Sequence, residues 1–260
     1  MKAAPSARIL GVLNLSPESM VTESIATSEA EIAERARWLV GTGADWIDLG
    51  ARSITPDAPM IDDATEQARL LPALERLRKT EGPGVPISVD TWSAGTGILA
   101  LEHGADGVNY TGGPLPFELL EAVAARDATL FVTFMPYENA YAMRDAAPAA
   151  TGLQAVLDHL GPKVEAARAA GVTRLVIDPN LGIIHPTTDD HRKIHQQLAI
   201  LFGLGALRRL GCPILLYAAR KPERLARIMM ASACLHAGAD YVRTHTPEMI
   251  VRLREGDANG

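Results

Sequence analysis

The sequence predicts an α/β chain folded as a single-domain (β/α)8 barrel over residues 1–260, and three observations carry that expectation. Eight short apolar runs recur, at 8–14, 45–48, 85–91, 107–109, 129–134, 174–178, 213–217 and 240–245, and most of them end on a polar side chain. Helical stretches separate the runs, and the turn Gly-Ala-Asp precedes an apolar run at Gly43, Gly104 and Gly238; strict alternation of this kind favours a parallel sheet. The length of 260 residues matches one such barrel. A doubly wound open sheet is the competing architecture, but no Gly-x-Gly-x-x-Gly follows the first run.

Taken in order, the first strand is Ile9 to Asn14, followed by a polar loop to about Thr27. Ser28-Glu29-Ala30-Glu31 reads as a capping box, with a serine oxygen for the orphan amides and a glutamate three residues on, so a helix runs from there to about Gly41. Strand two ends near Asp48, and a second polar loop, Ala51 to Ala58, precedes a helix from about Asp62 to Thr80. The third strand, Val85 to Thr91, follows a Gly/Pro turn and stops at the carboxylate of Asp90, as a buried strand does when its last residue faces a ligand. Helices are expected over 92–103 and 117–125, with strands four and five ending at Asn109 and Phe134. A long loop, Met135 to Thr151, carries Tyr137, Glu138, Asn139, Tyr141 and Arg144; it is either a solvated connection or an acceptor-binding lid. A helix over 152–171, strand six to Asp178, a helix over 188–210, strand seven to Tyr217, a helix opened by Pro222, strand eight to His245 and a short helix after Thr246 complete the chain.

Composition narrows the function classes. A net charge of −6 argues against nucleic acid as a partner, because such binders carry a basic face or stripe and none is visible. Nothing approaches membrane-spanning length, so no membrane partner is expected. The two cysteines, Cys212 and Cys234, lie in apolar stretches without metal-ligand spacing and read as buried free thiols in a reducing, cytoplasmic compartment. His191 and His195 are four apart, as metal-binding pairs are, yet no Glu or Cys completes a site; with His185 they are expected to face solvent.

If the barrel closes, Asn14, Asp48, Asp90, Asn109, Asp178, Lys221, Arg243 and His245 converge on one mouth. The cations lie on strands seven and eight, where such barrels often hold phosphate groups. The carboxylates and amides suit a ligand with several adjacent N–H donors. Each residue also has a plain reading: an Asp ending a strand is often a turn former or helix cap, and Asp48 may simply begin a loop.

Seven motifs, in order, resemble the dihydropteroate synthase family from end to end: Gly-Val-Leu-Asn14-Leu-Ser-Pro-Glu-Ser, Ile-Asp48-Leu-Gly, Ser-Val-Asp90-Thr, Val-Asn109, Ile-Asp178-Pro, Ala-Arg220-Lys221 and Val-Arg243-Thr-His245. The resemblance implies a TIM barrel that binds a pterin in its mouth. It implies that Asp178 takes the N3–H and 2-amino pair, that Asn109 and Asp90 read the remaining ring nitrogens, and that Lys221 covers the O4/N5 side. Asn14, Arg243 and His245 match the group that holds the diphosphate of 6-hydroxymethyl-dihydropterin diphosphate, with Asn14 also near a Mg2+. Lys221, Arg243, His245 and Asn14 are thereby the catalytic candidates. A homodimer through the last helices is also implied, with Cys212 to Ile214 and Met229 to Leu235 apolar enough for the interface or for the core.

Departures from the family pattern cluster at the second-substrate end. Ser19-Met20-Val21-Thr22 lacks the usual Phe and Asp, and Ser53-Ile54-Thr55-Pro56-Asp57 stands where Ser-Thr-Arg-Pro-Gly is usual. Asp178-Pro179-Asn180 replaces Asp-Pro-Gly, Ile183 replaces a Phe, Ala219 a Ser, and Thr133-Phe134 the usual Met-His. Arg52, Ile54, Thr55, Ile183 and Arg220 are the candidates for an acceptor site, with Arg52 or Arg144 available to compensate an acceptor carboxylate that apolar neighbours would desolvate. Three activities fit: pterinylmethyl transfer to p-aminobenzoate or a related amine, one-carbon transfer from a tetrahydrofolate, and non-catalytic pterin binding.

Overall fold

The computed structural model describes residues 7–54, 58–81, 84–218 and 223–258. Eight strands, β1 Arg8–Asn14, β2 Trp46–Gly50, β3 Ile87–Thr91, β4 Gly107–Tyr110, β5 Thr129–Thr133, β6 Arg174–Asp178, β7 Leu215–Tyr217 and β8 Tyr241–Thr244, pair in parallel in the order β6-β5-β4-β3-β2-β1-β8-β7. The two ends of that order meet where Ile177 N–H donates to Pro213 O at 3.0 Å and Ile177 bridges Ile214, so the sheet closes on itself. The helices are α1 Glu29–Gly41, α2 Asp63–Glu81, α3 Ala94–Glu102, α4 Phe117–Ala125, the short α5 Ala142–Asp145, α6 Leu153–Ala169, α7 Asp190–Phe202, the short α8 Leu204–Leu207, α9 Arg224–His236 and α10 Pro247–Ala258.

The repeated Gly-Ala-Asp turn has one physical job in all three places. The glycines take positive φ, +101° at Gly43, +94° at Gly104 and +86° at Gly238, which turns the chain out of the preceding helix. The carboxylates then latch the neighbouring strand: Asp45, Asp106 and Asp240 accept the backbone N–H of Ile9, Ile87 and Ile214 at 2.7, 2.7 and 2.8 Å. The expected capping box is formed, with Glu31 N–H donating to Ser28 Oγ and Ser28 N–H to Glu31 Oε2.

Two elements differ from expectation. The helix expected over 188–210 ends at Phe202, because Gly203 caps it and packs where a Cβ would lie 2.5 Å from Leu153 Cδ2; α8 and a 3-10 turn, Arg208–Leu210, follow. The 135–151 loop is more than a plain solvated connection, since it carries α5 and is hydrogen-bonded to other parts of the fold. Asn139 Oδ1 accepts from the N–H groups of Tyr141 and Ala142, Gly113 N–H donates to Glu138 O, Ile61 N–H donates to Tyr141 Oη, and Arg144 donates to Ala58 O.

Inside the barrel, Leu10, Trp46, Phe131, Val176, Leu215 and Tyr241 form one apolar layer. The Phe131 ring meets Trp46 and Tyr241 edge to face, each at 5.5 Å between centroids. The larger core lies between the outer face of the strands and the helices. Among the described residues no helix is long and apolar enough to cross a membrane.

Candidate active site

Strand side chains alternate faces with period two, so the residue two places beyond each member of the apolar layer also points into the barrel. Those residues are Val12, Asp48, Thr133, Asp178, Tyr217 and Arg243. Two further places on stand Asn14, Asn180 and His245, and β3 and β4 add Ser88, Asp90 and Asn109 by register, since Asp48 pairs with Ser88 and Asp90 with Asn109. One turn of pleat thus converts a closed apolar floor into a polar mouth.

Asp48 is the hub of that mouth, although the sequence offered little to mark it. Fully buried, it accepts at Oδ1 from Ser88 Oγ at 2.6 Å and at Oδ2 from Asn109 Nδ2 at 3.0 Å and Arg243 Nε at 2.7 Å. Arg243 Nη2 also reaches Asp90 Oδ2 at 2.7 Å, and Thr111 Oγ1 donates to Asp90 Oδ1 at 3.2 Å. Burial opposes the charge of Arg243, but Asp48 and Asp90 outweigh it and push its pKa up. Burial raises Asp90 to about 6 against the pull of Arg243. Asp178, more isolated, is pushed by burial up to about 7, and its Oδ1 accepts the N–H of Asn180 at 2.7 Å.

Among the described residues, Asn109 Oδ1, whose Nδ2 is fixed on Asp48, and Thr133 Oγ1 are inner-face atoms with no hydrogen-bond partner. Both residues are buried. The replacement of a glycine by Asn180 keeps its turn, since Asn180 holds φ +62°, a left-handed conformation that Asn tolerates. Its side chain ties the turn together, donating to Phe134 O and Ile183 O and accepting from Ile183 N–H.

At the other end of the mouth, Arg243 lies 5.5 Å over the Tyr217 ring, and Tyr217 meets the His245 ring at 6.2 Å. Asn14 Oδ1 accepts from Ser16 N–H at 2.9 Å. Loop one is pinned by Glu18, which pairs with Arg69 at 2.8 Å and accepts from Ser16 Oγ; the Arg69 hydrogen bond holds its carboxyl down at about 2. Lys221, Arg220 and Thr55, expected in the mouth and at the acceptor end, lie outside the described residues, as does Pro222.

The other candidate residues divide by their surroundings. Arg52, an acceptor-site candidate, is engaged within the fold: its side chain is 5% exposed, and its Nη2 sits 3.0 Å from Glu66 Oε2 and also contacts Asp63. Glu66 is itself fully buried, so the guanidinium neutralises an interior charge. Arg144 donates to Ala58 O and lies over the Tyr141 ring. Ile54 is exposed, whereas Ile183 lines a small pocket with Phe134, Met135 and Asn180. His185 is buried, bonded to Ala146 O and Thr187 Oγ1, while His191 and His195 face solvent as expected. Cys212 and Cys234 are both buried free thiols. Cys212 and Ile214 are core residues, and of 229–235 Met229 is exposed but Met230, Ala231 and Cys234 are buried. No group of three or more His, Cys, Asp or Glu is placed to hold a metal ion among the described residues.

Comparison with known proteins agrees with this geometry. The chain is 30% identical to dihydropteroate synthase of Bacillus subtilis, over 94% of this chain and 85% of that one. It is 28% identical to dihydropteroate synthase type-2 of Escherichia coli, over 95% and 93%. Among solved structures it is similar to dihydropteroate synthase from Thermus thermophilus in complex with 4-aminobenzoate, with a TM-score of 0.78, 27% identity and coverage of 98% of this chain and 95% of that chain. The same enzyme in complex with 6HMPPP matches at 0.76 with 27% identity, over 98% and 94%. Residues 10–245, from the third residue of β1 to just past β8, match the family described as pterin binding enzyme, and the chain belongs to that family.

Proposed function

We propose that the chain is a transferase of dihydropteroate synthase type, joining 6-hydroxymethyl-7,8-dihydropterin diphosphate to p-aminobenzoate or a related amine. The observation that carries this reading is the buried polar layer at the mouth, in which Asn109 Oδ1 has no partner and Asp178 Oδ1 has one backbone N–H. An ionised carboxylate beside an amide oxygen is what a flat ring with adjacent N–H donors needs, and burial excludes the water that would compete. In this reading Asp178 takes the paired N–H groups, Asn109 and Asp90 the remaining ring nitrogens, and Lys221 the far edge.

The diphosphate lies toward Arg243, His245 and Asn14. The C–O bond at the pterin methylene breaks with its electron pair leaving on diphosphate, a C–N bond forms from the amine, and the amine's proton goes to solvent. The protein's part is electrostatic and positional: Arg243 and His245 stabilise charge developing on the leaving group, and the walls aim the amine. A Mg2+ would neutralise diphosphate charge. Asn14 supplies a single carbonyl oxygen that already accepts from Ser16, and no carboxylate cage accompanies it among the described residues, which suits a cation held mainly by phosphate oxygens and water. Buried free thiols support a reducing, cytoplasmic setting. Exposed Ile194, Leu198 and Phe202, four residues apart along α7, and exposed Leu225 and Met229 on α9 support a homodimer through those helices.

Equilibrium binding of the pterin diphosphate against the same pterin lacking diphosphate tests the anion assignment: the diphosphate form should bind at least about tenfold tighter, the worth of one good charge-assisted contact. Equal affinities would remove Arg243 and His245 from that role. Release of diphosphate on adding p-aminobenzoate tests the reaction. Turnover with methylene- or methyl-tetrahydrofolate, and none with the amine, would replace it with one-carbon transfer.

A further inference from the structure

The geometry points to Thr133 as a further ring-reading residue of the mouth, its hydroxyl held inside the barrel for a hydrogen bond with the bound heterocycle between Asn109 and Asp178. The inference rests on the pterin reading above and adds a contact which the motifs do not contain.

Thr133 faces inward because it lies two residues beyond Phe131, whose ring is in the apolar floor, and because it pairs in register with Asp178. Asn109 pairs with Phe131 on the other side, so β4, β5 and β6 present Asn109, Thr133 and Asp178 as neighbours around the wall. Two other hydroxyls of the mouth are engaged by protein: Ser88 Oγ donates to Asp48 and Thr111 Oγ1 to Asp90. Thr133 Oγ1 is buried and has no partner. A valine would fill the same space without leaving a hydroxyl unsatisfied, so the hydroxyl costs stability unless something arrives to use it.

The backbone around it is fixed. Lys163 of α6, buried, donates through Nζ to Thr133 O at 3.1 Å and to Gly112 O at 3.1 Å, which ties the end of β5 to the loop after β4. One turn earlier, His159 Nε2 accepts from Met135 N–H at 3.4 Å. The strand end is therefore held from the outside by a helix while its inner hydroxyl is kept clear. A hydroxyl both donates and accepts, so it complements either kind of ring atom between two acceptors. A site built around such a group discriminates against ligands that cannot satisfy it.

The test is titration calorimetry with 6-hydroxymethylpterin on the full chain, for wild type, Thr133→Val, Thr133→Ser and Asp178→Asn, with thermal unfolding of each ligand-free protein. Thr133→Val should bind the pterin about tenfold more weakly, the loss of one hydrogen bond. Thr133→Ser, which keeps the hydroxyl, should bind within about threefold of wild type. The ligand-free melting temperature of Thr133→Val should not fall. Wild-type affinity in Thr133→Val, with Asp178→Asn weakened, would overturn this inference and leave the functional reading standing. A lowered melting temperature in Thr133→Val that Thr133→Ser restores would show the hydroxyl bonded within the fold, and would also overturn it. Wild-type protein that binds no pterin would remove the functional reading, and this inference with it.

Discussion

The two sides of the mouth use the same residue types in opposite ways. On the β2, β3 and β8 side, Asp48, Ser88, Asp90 and Arg243 hydrogen-bond to one another and form a network in which one guanidinium is shared by two carboxylates. On the β4, β5 and β6 side, Asn109 Oδ1 and Thr133 Oγ1 have no partner, and Asp178 is pushed toward its neutral form by burial. The first side is built to hold its shape without a ligand. The second carries hydrogen-bonding capacity that the fold itself does not use, and this teaches where a ligand contributes most. Buried polar groups left unbonded are unfavourable, so they persist where binding satisfies them.

The largest effect should come from breaking the bonded side. Arg243→Met leaves Asp48 and Asp90 without their shared cation, and removing one partner of a buried pair costs about 3–5 kcal/mol. Urea unfolding at pH 8 should show that loss; a change below about 1 kcal/mol would mean the network is dispensable.

On the open side the sign reverses. Asp178→Asn removes a carboxylate that the ligand-free fold disfavours, so stability at pH 8 should rise by roughly 1–2 kcal/mol. A clear fall would place Asp178 among the groups that support the fold.

The same carboxyl gives a pH dependence. Its folded pKa, about 7, lies above the ordinary 3.8, so the folded protein keeps a proton that the unfolded chain has released. That contribution to stability is full below about pH 4 and is lost as pH rises through about 7, and Asp90, raised to about 6, adds in the same direction. Chemical unfolding at several pH values on wild type and Asp178→Asn isolates it: the slope between pH 4 and 7 should flatten in the variant. Identical slopes would contradict the shift.

The smallest effect belongs to loop one. Glu18, lowered to about 2 by Arg69, contributes above pH 4.5, and that contribution is lost as pH falls through about 2. The pair is partly exposed, so Glu18→Gln should cost only about 0.5–1 kcal/mol at pH 7. Thermal unfolding resolves it, and a much larger loss would make loop one part of the structural network.

Much of this was legible in the chain because it is written in local grammar. Period two, the Gly-Ala-Asp latch and polar strand ends specify the strands, the barrel and which residues reach the mouth. Partnership was not legible. Asp48 read as a mouth residue or a plain loop start, with no role of its own, yet its place two residues past Trp46 makes it the hub; the signal was its shared register with the apolar floor. Arg52 read as a free cation, but Glu66 one turn into α2 is buried and takes its charge. His185 read as solvent-facing because its partner, Ala146 O, lies 39 residues away. Thr133 stood in the sequence only as a departure, and its open hydroxyl shows only once its neighbours are in place.

Fluorescence titration of 6-hydroxymethylpterin into wild-type and Asp178→Asn protein at pH 8 most directly tests whether the open side of the mouth is where the heterocycle binds. Wild type should bind saturably and the variant at least about tenfold more weakly, since its amide replaces one of two acceptor oxygens with a donor. Equal affinity for both proteins would contradict it.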